Sequence, residues 1–192
     1  MNTSGLDSGV VVSVNLSVRK TVRKTPGRAG KLVFDRGFEG DAHAGDWHRQ
    51  VSLLGLESIE KMVKAGLHVG PGDFAENVTT SGIDLLALPI GTVLSIGHEV
   101  RLEISQIGKV CHIRCAIFVQ AGDCVMPREG LFAVVRAAGE VHVDDPIAVV
   151  SLGDGTCDRT PASAIAEFEA ERAAQADESS ARTPTATRAL RP

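Results

Sequence analysis

Apolar residues in this chain alternate with polar ones more often than they recur at helical spacing. From Val10 to Val18 valine dominates, with polar breaks of period two at Ser13, Asn15 and Ser17. Val100, Leu102 and Ile104 alternate with Glu99, Arg101, Glu103 and Ser105, the pattern of a strand with one face in a core. Thr92–Ile96, Leu131–Ala137 and Ile147–Leu152 read as further strands. Turn signals separate them at Gly97-His98, Ala138-Gly139-Glu140 and Asp144-Asp145-Pro146. One segment has helical period, through Leu56, Ile59, Met62 and Val63, and closes at Gly66, which suits a left-handed C-cap. Many short strands with one or two helices predict a mainly β fold, a closed or nearly closed β-barrel with a few short helices. No internal repeat is present.

From about Gly153 the pattern fades. Val, Ile and Leu almost vanish, and Ala, Glu, Arg, Thr and Pro replace them. The expected organisation is therefore a flexible N-terminus at 1–8, a barrel domain at 9–152 and a polar tail at 153–192. Pro161 to Ala176 suits one short helix, since proline favours a first turn and Ala and Glu are good formers. Its apolar set, Ile165 and Phe168, is thin, so weak docking is expected. The Ser/Thr/Pro-rich sequence beyond Asp177 is expected to be disordered.

Composition narrows the classes. A chain of 192 residues, 43% hydrophobic, is one domain that buries a core without disulfide or metal staples. A formal net charge of −4 argues against a nucleic-acid binder. No apolar run approaches the roughly 20 residues that span a bilayer, and no secretory signal is expected at the N-terminus. Four cysteines, Cys111, Cys115, Cys124 and Cys157, are too few and too clustered for a disulfide framework. Reduced thiols and a cytoplasmic location are expected.

Three stretches carry candidate chemistry. Gly37–Gln50 gathers Asp41, His43, Asp46, Trp47, His48 and Arg49 between glycines. It reads either as a ligand- or metal-facing loop or as a structural turn in which Asp41 caps backbone amides and Trp47 plugs the barrel mouth. Ile107–Cys115 follows the clearest strand and flanks Cys111 with Lys109, His112 and Arg114. Nearby positive charge favours thiolate, the form that acts as nucleophile and metal ligand. The alternative is a small buried core thiol. Cys115 and Cys124 are secondary thiols. Cys111, Cys115 and Cys124 lack the second tight pair of a structural zinc site. Arg19–Lys31 places six basic residues in thirteen around Pro26-Gly27. It reads as a solvated loop or as an anion site, with Arg23, Lys24, Arg28 and Lys31 as its ligands. No P-loop pattern is present.

Taken in order, these blocks resemble the MOSC domain family, the domain at the C-terminus of molybdenum cofactor sulfurases and in free-standing bacterial proteins. Gly37–His43 looks like its Gly-Leu-x-Gly-Asp-x-His loop. Gly72–Thr79 looks like its Gly-x-Phe-x-Glu-Asn block, which includes Asn77. Gly91–Gly97 and Leu102–Gln106 match the strands leading to its shared cysteine, here Cys111. Gly130–Arg136 through Asp144–Ile147 resembles the closing segment. The sequence departs from the family at Ser105–Val110, where Thr-Gln-Pro-Arg-x-Pro is frequent, and at Asp144, where glycine is.

The resemblance implies a barrel like that of pyruvate kinase and a link to molybdenum cofactor or to cysteine-borne sulfur. The leading expectation is a sulfur carrier or transferase holding a persulfide on Cys111. His43 and Asp41 would assist catalysis. Lys109, Arg114, Arg23, Lys24, Arg28, Lys31, His48, Asn77 and Arg136 would bind the acceptor. A second expectation is a molybdenum cofactor-binding protein with Cys111 as thiolate ligand to molybdenum, for storage, delivery or reduction of N-hydroxylated compounds. A third, from the residues alone, is a metal-dependent hydrolase using Asp41, His43 and His48. The implied partners are a separate cysteine desulfurase or other sulfur donor and a small-molecule or cofactor acceptor. A homodimer stays open, and no pyridoxal phosphate is expected in this chain.

Overall fold

A computed structural model describes residues 8–110, 124–167 and 170. The strands are β1 (Ser8–Leu16), β2 (Thr25–Gly27), β3 (Ala29–Val33), β4 (Gly37–Phe38), β5 (Val51–Gly55), β6 (Val78–Ser81), β7 (Val93–Ile96), β8 (Val100–Ile107), β9 (Leu131–Ala137), β10 (Gly139–His142) and β11 (Pro146–Ser151). The helices are α1 (Leu56–Lys64) and α2 (Met126–Glu129), and residues 162–167 are also helical.

Seven strands close a barrel in the order β1–β11–β7–β8–β9–β5–β6, with β6 pairing back onto β1. The mainly β barrel expected from the alternation is the observed fold. All of its pairs are antiparallel except β5 and β6, which α1 joins as a crossover. β10, β3 and β4 form a small second sheet, and Leu32, Phe38 and Val141 from it are fully buried in the barrel core. Inward residues of the alternating strands fill the interior: Leu94 and Ile96 of β7, Val100, Leu102 and Ile104 of β8, and Leu131, Ala133 and Val135 of β9. A second cluster, including Leu54, Ile59, Met62 and Phe132, lies beneath α1. The helix ends as the sequence predicts, with Gly66 at φ +94° and its N–H bonded to the Val63 carbonyl.

Two sequence expectations are corrected by the fold. Ser105 belongs to the polar set of the alternation, yet it is fully buried. The β8–β9 register slips between Ile104 and Gln106, so Ser105 is the extra residue of a bulge and the face of every later side chain is reset. Asn77, expected at the ligand, is 1% exposed and serves the interior. Its side-chain oxygen accepts from the Ser52 backbone N–H and hydroxyl, at 3.1 and 3.0 Å, and its Nδ2 donates to the Asn15 carbonyl at 3.3 Å.

Weak docking is the expectation for a helix at 161–176; the stretch 153–160 ahead of it is tied to the barrel. The Gly153 N–H donates to Thr92 Oγ1 at 3.1 Å, and the Gly155 N–H to the Ile90 carbonyl at 3.0 Å. Cys157 and Ala164 are buried. Polar and backbone bonds hold this arm, with little help from Ile165; Phe168 lies outside the described residues.

Candidate functional site

The loop 37–50 connects β4 to β5 and is shaped by Asp41. One Asp41 carboxylate oxygen accepts the His43 N–H at 2.9 Å, and the other accepts the Ser17 N–H at 3.0 Å. Lys24 donates to that second oxygen at 2.5 Å, with both side chains 1% exposed. Burial alone would raise the Asp41 carboxyl, but hydrogen bonds from His43, Lys24 and Ser17 outweigh it and hold the pKa far below the ordinary value. Burial lowers the Lys24 ammonium, and Asp41 opposes that shift. His43 Nδ1 lies 3.4 Å from Lys24 Nζ and 3.5 Å from Asp41 Oδ1, and its ring is 28% exposed. The capping role read for Asp41 as a structural turn is therefore present in full.

The second half of the loop meets the end of β8. Gln106 donates from Nε2 to the Gly108 carbonyl at 2.8 Å, so its Oε1 is the acceptor for His48 Nε2 at 2.7 Å. That assignment leaves the proton of neutral His48 on Nε2 and the lone pair on Nδ1. Burial lowers the His48 pKa, and the Arg49 charge adds to the effect against the Gln106 bond. Neutral imidazole is the resting form. The bulged Ser105 donates its hydroxyl to the His48 carbonyl.

Arg49 sits beside them. Its guanidinium carbon lies 4.9 Å from the Trp47 ring centroid and 5.7 Å from that of Phe132. Its Nε is shut off from solvent and has no hydrogen-bond partner among the described residues. Burial lowers its pKa, and Glu167, in the arm's helical turn, partly offsets this. Lys109 follows β8 with its N–H on the Pro127 carbonyl at 2.9 Å, half-buried, two residues before Cys111.

The structure brings some of the expected residues together and keeps others apart. Asp41, His43 and Lys24 form one group; His48 and Lys109 lie at the end of β8. Lys24 is corrected from a loop cation awaiting phosphate to a buried partner of Asp41. Arg23, Arg28 and Lys31 face acids on the surface, Asp73 at 3.0 Å, Asp144 at 3.8 Å and Glu39 at 3.8 Å. They do not form one anion cradle. Arg136 donates from Nε to Glu103 at 2.6 Å and also pairs with Asp158. The ligand atoms of Asp41, His43 and His48 do not gather into a metal-sized group, which removes the geometry of the hydrolase reading. Glu103, Cys157 and Asp158 do come within 4.8 Å of one another, but the Arg136 guanidinium already supplies the positive charge there. Cys124 is buried. Cys111, Arg114 and Cys115 lie outside the described residues. Sequence reading gave Gln106 no role and placed Arg49 only among the polar groups of a ligand-facing loop. The signal for Arg49 was its place in Trp47-His48-Arg49, a cation beside the chain's single tryptophan.

The protein is therefore a closed seven-stranded β-barrel with a polar, cation-bearing loop set against the end of β8. A model of the MOSC domain matches residues 40–148, more than half of the chain, and the chain belongs to the MOSC domain family. Among solved structures it resembles the YuaD protein from Bacillus subtilis, with TM-score 0.64 and 18% identity over 74% of this chain and 95% of that one. It resembles YiiM from Geobacillus stearothermophilus with TM-score 0.59 and 18% identity, covering 92% of each chain. For YiiM from Escherichia coli the values are 0.56 and 16%, over 86% of this chain and 94% of that one. At these identities the likeness is one of fold. No curated protein matches the sequence.

Proposed function

We propose that the chain binds molybdenum cofactor beside the end of β8, with Cys111 as the thiolate ligand to molybdenum and with Arg49 and Lys109 receiving its anionic groups. The observation that carries this reading is the Arg49 guanidinium, close to the Trp47 and Phe132 rings, with a buried Nε that has no partner among the described residues. An unmet buried donor costs about 1–3 kcal/mol, more on a charged group, so the site gains from any local shift that lets a bound anion reach it. Soft thiolate suits such a metal. The cofactor would supply two-electron redox chemistry at its metal. The chain's own residues would bind and orient it and exclude water. His48 Nδ1 offers a lone pair that can take up a proton next to the Arg49 charge. The partly exposed His43 ring turns its Nδ1 toward Lys24 and Asp41.

The test is elemental analysis and pterin fluorescence on protein purified from cells that make the cofactor. The expected outcome is co-purified molybdenum and pterin in the wild type, and a loss of both in Arg49→Ala and in Cys111→Ser with folding intact by circular dichroism. Wild-type protein free of molybdenum and pterin overturns the reading.

Lys109 favours a second reading, since a cation two residues from Cys111 favours thiolate whatever the sulfur then does. In it Cys111 carries a persulfide from a separate cysteine desulfurase to a small-molecule or cofactor acceptor. Incubation with a desulfurase and cysteine is expected to add about 32 Da to the wild type and nothing to Cys111→Ser.

A further inference from the structure

The family match ends at residue 148, yet the arm that follows reaches back to the loop bearing His48 and Arg49. Thr160 Oγ1 donates to the Ser105 carbonyl at 2.5 Å, and the Ser105 hydroxyl donates to the His48 carbonyl. A single bulge residue thus joins the arm, β8 and the loop. The Arg159 guanidinium pairs with Asp46, two residues before His48, and lies 3.3 Å from Asp35. Asp35 in turn accepts from Gln50 Nε2 at 2.8 Å, immediately after Arg49. Arg159 therefore reaches the stretch 46–50 at both ends, once directly and once through Asp35. The arm is seated as well as tied. At Gly153 a Cβ would collide with the Ile90 carbonyl, and at Gly91 with the Thr156 carbonyl, so two chain segments touch backbone to backbone.

We propose that Arg159 and Thr160 are positioning residues of the site, clamping the 46–50 loop against the β8 bulge so that His48 and Arg49 hold one orientation. The inference deepens the cofactor-binding reading and rests on it only for what the oriented loop then binds. One guanidinium nitrogen, Nη2, meets both carboxylates, at the end of a side chain that reaches farther than lysine's. Arrangements of this kind, in which outer residues lock the rotamers of inner ones, set the precision of a site.

The test needs no cofactor, so its outcome is separate from that of the binding experiment. Trp47 is the only tryptophan, the chain has no tyrosine, and the indole N–H donates to the His43 carbonyl at 2.8 Å. Its fluorescence therefore reports this loop alone. Acrylamide quenching is measured on the full-length wild type and on Arg159→Ala, Arg159→Lys and Thr160→Val. The quenching constant is expected to rise by roughly a factor of two in Arg159→Ala and to rise in Thr160→Val, as local opening exposes the ring. Arg159→Lys should restore it only in part. Wild-type quenching in both Arg159→Ala and Thr160→Val, with circular dichroism unchanged, overturns the proposal.

Discussion

Lys24 and Asp41, separated by 17 positions in the chain, form a buried pair on which the loop turn depends. Asp41→Asn keeps the shape and strands a buried ammonium. A loss of about 3–5 kcal/mol is expected in denaturant unfolding. The pH dependence has a definite sign. The folded Asp41 carboxyl lies below its unfolded value of about 3.9, so its stabilisation is full above that pH and fades as pH falls. The wild-type melting temperature should drop on acidification below about pH 4, and Asp41→Asn should flatten that drop. Lys24 has a lowered folded pKa, so the unfolded chain binds more protons and stability rises with pH toward about 10.4. Without Asp41 to oppose burial, that alkaline rise should steepen. At this scale the sequence was only partly readable. Asp41 as a cap follows from its residue type and its place between Gly40 and His43. Its partner does not, because a lysine in a basic run looks like any other solvated cation until the fold buries it.

Periodicity carried the elements where side chains alternate without interruption. β9 spans the same Leu131–Ala137 that its apolar run marks, and α1 stops where Gly66 says it should. β8 shows where the signal ends. The alternation holds through Ile104 and then misplaces Ser105, since a bulge depends on what the neighbouring strand does. The arm at 153–167 was illegible for a related reason: its hold comes from backbone bonds and ion pairs, and hydrophobic counting is blind to both. Gly153→Ala tests this element directly. The added methyl has no room against Ile90, so the arm should lift. Limited trypsin digestion is then expected to cut after Arg159 faster than in the wild type, while the barrel resists.

Across the molecule, the arm is bonded to the barrel and to the 46–50 loop at several points. Deletion after Leu152 removes buried Cys157 and Ala164 and the Arg136–Asp158 and Arg159–Asp46 pairs. The barrel should still fold, with a melting temperature lower by about 4–8 °C, the shift that roughly 2 kcal/mol produces in a chain of this size. An unchanged melting temperature would show that the arm adds nothing to the whole. The family and its barrel were legible because five ordered blocks span the body, whereas the site needed contacts between segments far apart in the chain.

The pairing of β1 with β11 has a consequence for how the molecule is made. The opening strand of the barrel waits for the last one, since Ser8 meets Ala148 and Val10 meets Pro146. Until the ribosome has released nearly the whole body, the newborn cylinder stands unzipped, with raw sheet borders available to neighbouring nascent chains. Such long-range closure slows folding. The window between synthesis and sealing is when this protein is most exposed to aggregation.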